Sequence, residues 1–162
     1  MNIDPLLLLE FSNAANDRVI EGLRGLTPEL LLSPLRNDFL SPFGLMVHIL
    51  SSERVWLDRW KGAYPPVLIM TEDIPTLDAL VAAWQPLRAE MREFVEGVED
   101  EEMDISYNTT QGVEHRMPWW QLFLHVFNHT TEHRSQVALF LATRDIDVGN
   151  LDLVWFLRER PR

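Results

Sequence analysis

His125-Val126-Phe127-Asn128-His129-Thr130-Thr131-Glu132-His133 places three of the chain's five histidines at intervals of four. Residues four apart stand on one face of an α-helix, about 6 Å apart along its axis. Trp119, Phe123, Val126, Val137, Phe140 and Leu141 recur around this stretch at helical spacing. They predict a long helix from near Pro118 to about Arg144.

Working outward, residues 99–117 read as non-helical. Residues 105–108 and 113–116 flank Gly112 and suggest a small hairpin. Before them, a helix is expected over residues 76–98, capped by Thr76 and kinked by Pro86. Its buried face would carry Leu80, Trp84, Leu87, Met91, Phe94 and Val98. A loop with Pro65-Pro66 and Pro75 precedes it. The helix before that starts at Ser41-Pro42 and runs to Lys61, with Leu45, Ile49, Val55, Trp56 and Trp60 apolar and His48 among them.

Residues 26–40 read as a connector, with a helical turn started by Thr27-Pro28-Glu29. Residues 2–25 form the first helix. Asp4-Pro5 supplies its cap and first turn. Leu8, Phe11, Ala15, Val19 and Leu23 form its buried stripe, and Gly25 its stop. At the other end, residues 150–158 read as a short helix that docks through Leu153, Phe156 and Leu157. The expected architecture is all-α: a four-helix bundle with long connections and a short C-terminal helix, in a single domain over residues 1–162.

Hydrophobic residues make up 46% of the 162, so a packed core is expected. The net charge of -11, from 25 acidic and 14 basic residues with no basic stripe, argues against direct contact with nucleic acid. No apolar run approaches bilayer-spanning length. No signal-peptide pattern frames Leu6–Leu9, and a cytoplasmic location is expected. The absence of cysteine removes disulfides, thiolate ligands and thiol nucleophiles.

Neutral imidazoles suit Zn, Ni, Fe and Cu. Two imidazoles at i and i+4 can chelate one ion, with nitrogens about 2.0–2.1 Å from zinc. Three along one helix cannot all do so, because His125 and His133 stand about 12 Å apart along the axis. One of the three must stand aside, and a further ligand must come from another helix. His48, inside an apolar stripe, is the best candidate. His115 lies in the irregular segment and reads as solvated. Histidines at such positions are often merely hydrogen-bonded core or surface residues. Three at this spacing, with a fourth on another buried stripe, favour metal. His129-Thr130-Thr131-Glu132-His133 also fits the H-x-x-E-H pattern of inverzincin proteases, in which the glutamate activates a zinc-bound water. Those enzymes are far larger and take a ligand well downstream, so Glu132 reads first as solvent-facing.

Asn128-His129-Thr130-Thr131-Glu132-His133-Arg134-Ser135-Gln136 resembles the fourth-helix signature N-H-x-x-x-H-R-G-Q of the DinB-like (damage-inducible protein) superfamily. Ser135 replaces the usual glycine. The resemblance extends to Leu45-Met46-Val47-His48-Ile49-Leu50 with Glu53 and Trp56-Leu57. It also covers Gly112 to Leu122 and residues 152–159. It implies a four-helix bundle, commonly a homodimer, for which the six tryptophans could supply an aromatic interface. It also implies a divalent metal, Ni or Zn, on His48, His129 and His133. His125 and Gln136 then lie beside the ligands, in the pocket or the layer behind them.

Relatives in that superfamily include enzymes that use mycothiol or bacillithiol, such as maleylpyruvate isomerase and thiol S-transferases. The implied function is a metal-dependent enzyme acting on a small molecule with a low-molecular-weight thiol as cosubstrate, and Tyr64, Tyr107 and Asn108 could form the pocket mouth. Two alternatives stand beside it. One is a stress-response or binding module with a structural metal. The other is a small metallohydrolase using Glu132.

Overall fold

The computed structural model describes residues 4–35, 40–109 and 111–160. Its helices are α1 (Pro5–Leu23), α2 (Pro28–Leu32), α3 (Pro42–Trp60), α4 (Leu77–Glu96), α5 (Trp119–Ala142) and α6 (Leu153–Glu159). A 3-10 turn spans Thr71–Asp73, and strands β1 (Asp104–Asn108) and β2 (Glu114–Pro118) precede α5.

Local chemistry sets most of these ends. Asp4 Oδ1 accepts from the Leu6 and Leu7 amides at the start of α1. Thr27 Oγ1 accepts from Leu30 N, which starts the expected helical turn, α2. Thr76 Oγ1 caps α4 through Ala79 N, and Asp152 Oδ1 caps α6 through Val154 N. Each bond satisfies an amide that the first helical turn leaves open. Asn2 and Ile3, expected at the start of the first helix, lie outside the described residues, as do residues 36–39 of the connector.

The hairpin forms as expected, with Tyr107 opposite His115 and Ile105 opposite Met117. Gly112 turns it at a φ of 78°, a conformation that costs glycine little. The chain divides into two compact units, Met1–Met46 with Thr131–Arg162, and Val47–Thr130.

In the first unit, Leu8, Leu9, Phe11, Ala15, Val19, Ile20 and Leu23 of α1 are buried, as are Val137, Phe140 and Leu141 of α5. Gly22 allows a close approach. A Cβ there would sit 2.7 Å from Val148 Cγ1 and 3.0 Å from Leu141 Cδ1. Arg134 of α5 is almost wholly buried. Its Nη1 donates to Asn16 Oδ1 (3.1 Å), Ser12 Oγ (3.2 Å) and the Ser12 carbonyl (3.4 Å), and its Nη2 to Thr131 Oγ1 (3.1 Å). A charge taken out of water needs such partners. The docking expected of α6 is partial. Phe156 meets Phe11 with ring centroids 5.6 Å apart, but Leu157 is exposed.

In the second unit, Trp60, Phe94, Trp119 and Phe123 form an aromatic cluster with centroids 5.2–6.4 Å apart. Trp84 is fully buried beside α3, where its Nε1 donates to Glu53 Oε2 at 2.6 Å. Glu53 Oε1 accepts a longer bond, 3.4 Å, from Thr130 Oγ1. One buried carboxyl group thus bonds to α4 and to α5 from α3.

Helix α4 continues through Pro86. Its buried stripe is Leu80, Trp84, Leu87, Met91 and Val95, which corrects the expectation of Phe94 and Val98. Phe94 is only half-buried, and Val98 falls past the helix end at Gly97. Val55 of α3, expected in the apolar stripe, is likewise half-buried.

Replacing Glu53 by Ala strands the Trp84 indole N–H and opens a cavity. An expected loss of about 2–4 kcal/mol follows. Urea unfolding followed by circular dichroism measures it, and Glu53→Gln, which keeps an acceptor, should lose less.

Candidate metal centre

Helix α3 delivers His48 from within a run of buried residues, Phe43, Leu45, Met46, Val47, Ile49 and Leu50. That run fixes the rotation of the helix, and His48 itself is half-buried. Helix α5 delivers His129 and, one turn later, His133. Thr130, the neighbour of His129, is buried on the Glu53 carboxyl group.

One ring nitrogen from each of His48, His129 and His133 lies within 4.8 Å of the other two, and all three residues are half-buried. His48 Nε2 and His129 Nε2 are 3.2 Å apart. Two ligands about 2.0–2.1 Å from a tetrahedral ion stand about 3.3 Å apart, so this pair already has the separation an ion requires. The same distance suits an N–H···N hydrogen bond between the rings in the absence of an ion. The donor set fits a divalent transition metal: three imidazoles, with no cysteine among them.

His133 Nδ1 lies 2.9 Å from Gln136 Oε1. The amide oxygen can only accept, so in this bond Nδ1 is the donor, and a neutral ring then has its lone pair on Nε2. A bond of this kind orients a metal-binding imidazole and sets its tautomer. Gln136 thus stands behind the cluster, bonded to one of its rings.

His125 stands apart from the three. Its ring centroid is 5.9 Å from that of His129 and 5.1 Å from Trp56, edge to face. The residue is exposed overall. Even so, partial desolvation of the ring, and then the Arg59 cation, hold its pKa below the ordinary histidine value. Glu132 is exposed on α5 and outside the cluster. Ser135 is exposed, and its hydroxyl donates to the Thr131 carbonyl of its own helix at 2.7 Å. Tyr64, expected near the pocket mouth, is 60% exposed. His115 is also exposed, but it stacks on Tyr107 at 5.8 Å.

The pattern of histidines did not reveal Arg59 or the aromatic wall next to it. Trp56 packs against Tyr107 at 5.1 Å, and the Arg59 guanidinium lies 4.6 Å from the Trp56 ring centre and 5.4 Å from that of Tyr107. The spacing of Trp56 and Arg59, three apart on one helix, is the signal the sequence offered.

The model of the DinB family matches residues 1–160. Among solved structures, a DinB-like protein from Bacillus cereus has a similar fold, with a TM-score of 0.62 at 15% identity, covering 88% of this chain and 94% of that one. That likeness speaks for the fold: mainly helical, DinB-like, with one small hairpin. No curated protein matches the chain.

Replacing Gln136 by Leu removes the acceptor from His133 Nδ1. Zinc affinity by isothermal titration is expected to fall about 10–100-fold while the helical circular dichroism stays unchanged.

Proposed function

The chain belongs to the DinB family, and from that premise we propose a divalent-metal protein, with nickel or zinc held by His48, His129 and His133. We propose further that it is an enzyme on a small molecule, a metal-dependent thiol S-transferase. The observation that carries this reading is the convergence of three half-buried imidazole nitrogens from α3 and α5 within 4.8 Å. Three protein ligands leave coordination positions for visitors, as catalytic rather than closed structural sites do.

A divalent ion held there supplies Lewis acidity toward a thiol or a carbonyl. The protein's own residues supply the frame. Gln136 orients His133, and the buried run of α3 turns His48 toward His129. His125 and Trp56 form an aromatic edge next to the cluster. The chain has no cysteine, so the sulfur in such a transfer comes from a low-molecular-weight thiol rather than from the enzyme.

Isothermal titration of protein made without a histidine tag is expected to show one Zn or Ni site, with affinity reduced at least 100-fold in His48→Ala and His129→Ala. Affinity equal in wild type and variants would remove the metal site. Turnover of a thiol with an electrophile should stop on chelation and return with added metal. A rise in melting temperature with metal but no turnover with any thiol would leave a non-catalytic module.

A further inference from the structure

We propose that Arg59, framed by Trp56 and Tyr107 next to the three-histidine cluster, is a subsite for the carboxylate of a small planar organic acid. The link from this subsite to a substrate rests on the metal-enzyme reading above. The anion site itself rests on Arg59 and its surroundings.

Arg59 is half-buried on α3. Among the described residues it has no carboxylate, carbonyl or hydroxyl partner, and its Nε is buried without a hydrogen bond. Several other arginines among the described residues are held by oxygen partners. Arg54 pairs with Glu90 and Asp58, Arg116 with Asp104, and the buried Arg134 bonds to Ser12, Asn16 and Thr131.

In a chain with 25 acidic residues, a partly desolvated guanidinium without an oxygen partner is a cation prepared for one. Burial holds its pKa below the ordinary arginine value, and Tyr107 offsets part of that. The guanidinium carbon lies over the Trp56 ring, 4.6 Å from its centre, a contact that uses none of the N–H groups as donors to oxygen. The N–H edge of a guanidinium matches a carboxylate through two parallel hydrogen bonds.

Position gives the subsite its purpose. Trp56 touches His125, and His125 touches His129, so the subsite is two rings away from the cluster. Tyr107 and His115, stacked on the hairpin, extend the aromatic border. Aromatic edges around a cation favour a flat acid over an aliphatic or bulky one.

Benzoate and its neutral isostere benzamide test this by isothermal titration, first on protein treated with EDTA. Wild type is expected to bind benzoate at least tenfold more tightly than benzamide. Arg59→Met should abolish the preference and His48→Ala should keep it. Where Arg59→Met does not fold, Arg59→Lys decides. A threefold or greater loss of benzoate affinity, with benzamide unmoved, upholds the proposal, and no loss overturns it.

Equal affinities in wild type, or no binding of either compound, would overturn it as well. So would a preference that survives Arg59→Met, or one lost only in His48→Ala, which would place the carboxylate on the histidines. Failure of the metal reading looks different, because zinc and nickel titrations would then be flat while the benzoate preference stood.

Discussion

The three-histidine cluster depends on a buried carboxyl group. Glu53 accepts from Trp84 of α4 and from Thr130 of α5, and it sits on α3 itself. Apolar packing alone would let α3 and α5 rotate or slide by fractions of a turn at modest cost. Directional bonds to a buried acceptor remove that freedom, because a slip leaves a polar group stranded in a low-dielectric interior. Thr130 adjoins His129 and Glu53 lies on the helix of His48, so the same bond that aligns the helices aligns the rings 3.2 Å apart. Arg134 does similar work within its own unit, where it fixes the stretch of α5 just past His133 to Ser12 and Asn16 of α1.

Features that depend on near neighbours were legible in the sequence. The caps at Asp4, Thr27, Thr76 and Asp152 act over two or three residues, and helix period alone places His129 and His133 on one face. The same geometry required one histidine of α5 to stand aside, and His125 does. His48 was legible because it interrupts an apolar stripe. Features that depend on distant partners were not. From Met91 onward both Phe94 and Val95 suit a helical stripe, and only packing chooses Val95. Arg59 reads as an ordinary helix cation until the hairpin brings Tyr107 against Trp56. The buried bonds of Arg134 could not be told from those of a surface arginine.

Glu53, Thr130, Gln136 and Arg134 bond within the protein and hold geometry. The three clustered histidines bring one ring nitrogen each within 4.8 Å of the others, and that group contains no carboxylate. Imidazole ligands bring a metal no negative charge, so a cluster of this kind would leave the charge of any ion it held undiminished.

Gly22 bears on how this sequence can change over time. The gap it leaves is closed by Val148 and Leu141, and valine, branched at Cβ, has little rotamer freedom with which to retreat. A methyl gained at position 22 is therefore expected to cost less in a lineage that has already trimmed position 148, which couples the two sites in the order of their change.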